Sequence, residues 1–312
     1  MRRRTKLALL FACGCALWYL GLFSACGEEG DTAQNLIDAA SLGSISVAKV
    51  SHVDRAHYRV ETPQATYLVD SASGGLSGLI DIDENDWVAY RGLPWGEYPA
   101  SASSSYRGVP NLVFRSEFDG AGHPGHNKAS CDVVGTNQIS CHTPGGPWAW
   151  TWTFESNYAL LDVTEVSDTS AYWFLYEGPA GGSYQPKQTY FATESGSPAY
   201  TQYDHFKGEE EVDQRDWYYF GNDAVPRTLF ILQLNPDTLL DHYSLLGSNT
   251  LGIDSPDGMV VAGFGRGPSA TPLMRRPNRF AIGFSEGAGT SEKAYERKSE
   301  EMERIELRYP DD

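Results

Sequence analysis

The chain predicts an all-β fold, a large antiparallel β-sandwich with one C-terminal helix, and three observations carry that expectation. From residue 45 onward the apolar residues fall in short or alternating runs bounded by Gly, Pro, Asn, Asp or Ser, the pattern of strands and turns. Those runs are rich in Val, Ile, Thr and aromatics, which suit a pleated, half-buried surface. Long helical periods do not alternate with them, which argues against a parallel doubly wound sheet. Within 312 residues, 32 Gly and 17 Pro supply turns, and 8 Trp, 18 Tyr and 13 Phe supply the mass of a core. The 24 Lys and Arg against 41 Asp and Glu leave a net charge of −17, which excludes a nucleic-acid binder, since a phosphate backbone needs a clustered basic surface.

Taken from the N-terminus, residues 1–25 read as an export signal, the alternative being an uncleaved anchor helix, since the apolar stretch is near the lower limit for spanning a bilayer. Arg2, Arg3, Arg4 and Lys6 precede an apolar run over residues 7–23, followed by Ser24, Ala25 and Cys26. The Ser24-Ala25-Cys26 junction resembles the lipobox of bacterial lipoproteins, in which the cysteine becomes the lipidated first residue. The resemblance implies lipidation at Cys26, a membrane lipid anchor as partner and, because Gly27 and not Asp follows, the outer membrane of the cell envelope. Removing residues 1–25 takes away four positive charges and no acidic ones, so the charge moves from −17 to −21. Residues 26–44 lack hydrophobic period and read as a polar tether.

A sandwich domain is expected over residues 45–287. Its predicted strands cover residues 45–50, 58–61, 66–69, 76–80, 87–90, 112–118, 148–154, 159–166, 172–176, 189–192, 217–220, 228–234, 259–264 and 280–284. A Ser73-Gly74-Gly75 break joins two of these runs, and an acidic turn, Asp83-Glu84-Asn85-Asp86, closes the pair. This hairpin resembles the opening of the galactose-mutarotase-like β-supersandwich, an architecture shared by sugar epimerases, polysaccharide lyases and glycosidase domains. Asp81 through Asp86 has a calcium-like spacing without the EF-hand glycine and late Glu, so a plain acidic turn is expected; calcium is the one cofactor it brings up.

Cys131 and Cys141 flank a Gly-Thr-Asn turn, and with the other cysteines in or next to the signal they are expected to form a disulfide across a hairpin. Residues 291–305 show alternating charges at helical spacing, and residues 288–312 form a C-terminal helix and tail.

Several segments have the residue types for chemistry. Trp148, Trp150, Trp152 and Phe154 share one face of a strand. They are either the inner face of the sandwich or a platform on which sugar rings stack, with Trp150 and Trp152 at its centre. His123, His126, Asn127 and Lys128 lie in a Gly-Pro loop without helical geometry for a metal, so no metal site is expected there. In a β-eliminating polysaccharide lyase a uronate carboxylate is neutralised by Asn, His or Arg, and a Tyr, His or Lys removes the adjacent proton.

Arg107 closes a long irregular stretch, and Arg266 is framed by Gly265 and Gly267, so either is suited to clamp a carboxylate. Glu177 ends a predicted strand, as a glycosidase acid or nucleophile would, and Tyr184 follows it as a candidate base. Glu209, Glu210 and Glu211 read as a solvated acidic loop. No nucleophile elbow, phosphate loop or dinucleotide fingerprint occurs. The expectation is an extracytoplasmic lipoprotein that acts on a polysaccharide as lyase or glycoside hydrolase. The alternative is a non-catalytic glycan-binding or structural envelope protein.

Overall fold

The computed structural model describes residues 44–92, 104–206, 213–248 and 255–310. Residues 1–25, Cys26 with most of the tether, the acidic run at Glu209–Glu211 and the middle of the long stretch after Arg91 lie outside them.

The strands are β1 (Ser46–His52), β2 (Arg55–Glu61), β3 (Ala65–Asp70), β4 (Leu76–Asp81), β5 (Ser130–Val134) and β6 (Gln138–His142). They continue as β7 (Ala149–Phe154), β8 (Tyr158–Glu165), β9 (Phe174–Gly178), β10 (Thr189–Thr193), β11 (Gly196–Ala199) and β12 (Trp217–Asn222). The last are β13 (Arg227–Gln233), β14 (His242–Leu246), β15 (Met259–Phe264), β16 (Arg266–Gly267), β17 (Thr271–Pro272) and β18 (Asn278–Glu286), followed by helix α1 (Glu292–Glu306).

A four-stranded meander β1-β2-β3-β4 and a three-stranded sheet β14-β15-β9 pack on a nine-stranded sheet ordered β11-β10-β12-β13-β18-β8-β7-β6-β5. One core joins all three: Tyr67 and Leu79 of the meander, Phe174 and Val260 of the small sheet, and Trp152, Phe220, Ile231 and Phe280 of the large one are buried together. The predicted antiparallel sandwich is therefore the observed fold. The opening hairpin is present as β3 and β4, with Asp81 accepting hydrogen bonds from the backbone of Asp83 and Asn85. Trp87 Nε1 donates to the same carboxylate. Asp83 pairs with Arg227, so two acids of this turn are engaged in holding it.

Period two explains the second core. In β12, Tyr218 and Phe220 enter the main core while Trp217 and Tyr219 face the other way, where α1 covers them with Met302 and Ile305. Ser291 caps the helix, its side chain accepting from the Ala294 N–H. Ala294, Lys298, Met302 and Ile305 form its buried stripe. The Lys298 ammonium donates to Ser285 Oγ and to the carbonyls of Glu286 and Gly287, so a buried charge is satisfied at the end of β18.

Two expected strands are absent. Residues 87–90 are buried but irregular. Residues 112–118 curl back on the next loop instead of joining a sheet, Val113 N–H donating to Ala121 and Gly120 N–H to Val113. Apolar content alone does not distinguish a buried loop from a strand. β14, whose His-Tyr-Ser-Leu alternation is only four residues long, and the short β11, β16 and β17 lie outside the predicted runs.

The Trp row faces inward. Trp148 is 1% exposed, and Trp150, Trp152 and Phe154 are 0%. Both Trp150 and Trp152 donate their indole N–H to the Gly74 carbonyl, at 3.2 and 2.9 Å. Gly74 has φ +73, and a Cβ there would stand 2.4 Å from the Trp150 ring. Trp150 and Trp152 are thus core residues sealed beneath the meander, and the expectation that they contact substrate is corrected. Beside them Cys131 and Cys141 face one another across β5 and β6 and form the expected disulfide.

Candidate functional site

A cavity of about 480 Å³ opens where β9, the start of β16 and two loops meet, and His123, His126, Glu177 and Arg266 all line it. The loops are built by strained backbone. Among the described residues nine non-glycine residues have φ in the left-handed region, and four of them, Asn111, Arg115, Phe206 and Ala270, line this cavity. Such conformations cost of order 1–3 kcal/mol each and concentrate at functional sites.

Glu177 is held at the end of β9 on both sides. It pairs with Val261 of β15, and it exchanges backbone hydrogen bonds with Gly108. Its carboxyl accepts a hydrogen bond from the Asn111 side-chain amide. Burial pushes the carboxyl from 4.5 up to about 8, against the pull of the Arg266 charge. A group with that value is protonated at neutral pH and can donate.

The His123–His126 loop is anchored from the meander. Asp70, fully buried at the end of β3, accepts from Arg55 Nε at 2.8 Å and from Gly125 N–H at 2.8 Å. The Arg55 Nη2 donates onward to the His126 carbonyl and to Asn127 Oδ1, each at 2.8 Å. His123 sits with Nε2 3.0 Å from the Tyr106 carbonyl and Nδ1 2.7 Å from the Pro124 carbonyl. Burial, reinforced by the neighbouring His126, pushes His123 down to about 4. Burial also lowers His126, partly opposed by Asp119, so both imidazoles are neutral near pH 7. The rings meet edge to face with centroids 5.0 Å apart. His126 is the exposed one of the two, at the cavity mouth.

One wall is aromatic. Phe114 and Trp173 stack at 4.8 Å and 17°, and Trp173 Nε1 donates to the Asn111 carbonyl. The Arg266 guanidinium lies over the Trp173 ring at 5.7 Å. At the rim, Phe206 is 52% exposed and packs on the His205 ring at 4.0 Å. An exposed ring on strained backbone beside a cavity is a place for a flat apolar ligand face.

Four of the predicted polar residues therefore converge, and three do not. Arg107 is buried and donates to the carbonyls of Ala89 and Gly258, so it ties loops together outside the cavity lining. Tyr184 packs on Gly258, where a Cβ would come within 2.2 Å of its ring. Asn127 is exposed beside His126 and outside the cavity lining, its Oδ1 accepting from Arg55. Arg107 and Tyr184 are corrected from site residues to structural ones. Asn111, Asp119, His205, Phe114 and Phe206 line the cavity without having been expected there. The Tyr172-Trp173 pair was a visible signal, whereas a lone His205 beside Phe206 carried none.

No family model matches the chain, and no curated protein matches it. Among solved structures it is similar to a galactose mutarotase related enzyme from Lactobacillus acidophilus, at 11% identity over 75% of this chain and 99% of that one, with a TM-score of 0.47. A galactose mutarotase-like protein from Lactobacillus casei gives 9% identity over 77% and 100%, with a TM-score of 0.46. The periplasmic domain of the Thermotoga maritima YidC gives 10% identity over 86% and 100%, with a TM-score of 0.35. Likeness at this level transfers no residue role to this chain.

Proposed function

We propose that the chain is a carbohydrate-active enzyme that moves protons on a sugar held in the cavity, by β-elimination at a uronate. The observation that carries this reading is the opposed pair in one cavity, a carboxyl held protonated at Glu177 and an imidazole held neutral at His126. Environments that push two titratable groups apart in this way assign an acid and a base that work at the same pH. His126 takes the proton beside the sugar carboxylate. The electrons form a carbon–carbon double bond as the bond to the leaving oxygen breaks, and Glu177 protonates that oxygen. Arg266 faces the sugar carboxylate, the Phe114–Trp173 wall stacks on the ring, and Asn111 orients Glu177. Exchange with water returns both groups to their starting states.

Asp119 lines the same cavity and supplies a second carboxyl, so glycoside hydrolysis is the second reading. The test is incubation of the purified protein with neutral and uronic-acid polysaccharides, following the ultraviolet absorbance of an unsaturated uronate together with new reducing ends. Both signals are expected, and E177Q and H126A should each lower them by about 10²- to 10⁴-fold. Reducing ends without the absorbance would move the assignment to hydrolysis, and binding without either to a non-catalytic module. Neither turnover nor binding across the panel would overturn the carbohydrate reading. The export signal and the Cys26 junction further support a cell-envelope location with a lipid anchor, proposed here as in the outer membrane.

A further inference from the structure

A second arginine, Arg115, stands at the cavity on a loop that is firmly held. The neck of the loop is closed by Val113, its N–H donating to the Ala121 carbonyl and its carbonyl accepting from Gly120 N–H, each at 3.0 Å. Within the loop Ser116 makes a turn, its carbonyl accepting from Asp119 N–H and its hydroxyl oxygen from Phe118 N–H. Lys128 Nζ donates to the Glu117 carbonyl at 3.0 Å and ties the loop to the segment that carries His126.

Arg115 itself is exposed, lines the cavity and has φ +57. A two-residue hairpin turn accounts for left-handed backbone at Val53 and Asp54, between β1 and β2. No strand pair demands it at Arg115, where it is the kind of strain that persists when a side chain has to be aimed. The guanidinium lies over the Phe114 ring, 5.3 Å from its centroid, and Phe114 is stacked on Trp173. Stacking fixes the plane of a guanidinium without using its N–H groups. Among the described residues Arg115 makes no hydrogen bond or ion pair, so those donors are unspent. Glu117 and Asp119 are exposed on the same loop, and neither is paired with it.

Arg266 lies over Trp173 and Arg115 over Phe114, so each ring of the stacked pair has its own guanidinium. We propose that Arg115 is a specificity-determining residue that takes the carboxylate of a second uronate, next along the chain from the sugar at Glu177. The substrate is then a run of consecutive uronates and not a chain in which uronates alternate with neutral sugars. The proposal rests on the carbohydrate reading above and deepens it by naming the class of polymer.

The test measures, by titration calorimetry, the binding of consecutive-uronate trisaccharides from pectin and from alginate. Hyaluronan tetrasaccharides, in which uronates alternate with neutral sugars, serve as the comparison. At least one of the consecutive uronides should bind about tenfold or more tighter than the alternating chain, as a charge-assisted contact implies. Arg115→Gly should cut that preference to about threefold or less, and Arg115→Lys, which keeps the charge without the bidentate fork, should fall between. Glycine takes left-handed backbone without strain, so Arg115→Gly should keep the fold, as an unchanged circular dichroism spectrum would show. On a consecutive uronide that turns over, the loss should appear in KM more than in kcat, because Arg115 acts away from the bond that breaks.

Equal affinity for the two kinds of chain, tighter binding of the alternating one, or a preference that survives in Arg115→Gly would overturn the proposal and leave the carbohydrate reading standing. A loss confined to kcat would do the same. Binding of none of these chains, nor of any neutral polysaccharide, would overturn both.

Discussion

Glu177 shows how one half-buried residue couples the site to the stability of the whole. Its carboxyl is pushed from 4.5 to about 8 by burial. Over that interval the folded chain retains a proton that the unfolded chain has released, so Glu177's contribution to stability is greatest below the interval and is lost as pH rises through it. Gln at 177 imitates the protonated acid and carries no such loss. The denaturant midpoint of E177Q should match that of the wild type near about pH 4 and exceed it increasingly toward about pH 8. Parallel curves across the range would mean that the carboxyl ionises normally and is not the resident acid. Much at this scale was legible. Gly265 and Gly267 signalled Arg266, and a Gly-Pro loop signalled His123 and His126, because a backbone that bends for no periodic reason presents side chains. Arg107 and Tyr184 followed the same logic and failed, because a sequence does not show which carbonyl a buried side chain will reach.

At the scale of elements, period two assigned Trp150 and Trp152 to one face but could not say whether that face looked to water. The answer came from a remote segment, the meander, whose Gly74 carbonyl receives both indoles. The Phe114–Trp173 wall was illegible for a related reason. Its two halves come together only because Trp173 N–H donates to the Leu112 carbonyl and Leu175 N–H to that of Pro110, contacts between a loop and a strand far apart in the chain. The hairpin of β5 and β6 is the opposite case, local and fully anticipated. β5 is the outer strand of the nine-stranded sheet and pairs there only with β6, so the Cys131–Cys141 bridge braces a strand with little other support. By the loop-entropy model so short a closure contributes about 2 to 3 kcal/mol. Replacing both cysteines with alanine should lower the unfolding free energy by about that amount, with faster amide exchange concentrated in β5 and β6. A loss below about 0.5 kcal/mol would mean that the hairpin is held by its register and by Tyr58, whose hydroxyl donates to the Cys131 carbonyl.

At the scale of the molecule, charge and anchoring bear on each other. Without residues 1–25 the chain carries −21, and an anionic bilayer surface repels such a protein instead of retaining it. Electrostatics therefore does not favour membrane attachment of the proposed mature protein. Under the proposed lipidation of Cys26, attachment would rest on the hydrophobic free energy of the lipid, about 0.8 kcal/mol per buried methylene, which salt does not screen. Expressed in a bacterium that processes lipoproteins, the protein should therefore stay in the membrane fraction through a high-salt wash and leave it in detergent. Cys26→Ser should appear in the soluble or periplasmic fraction with the sandwich intact, because the core residues described run from Ile45 onward and do not include Cys26. Salt release of the wild type, or membrane retention of Cys26→Ser, would show that an uncleaved N-terminal segment or a partner holds the protein in place of a lipid. Either result would withdraw the lipid anchor while leaving the cavity chemistry untouched, since the cavity is lined by residues from Tyr106 onward.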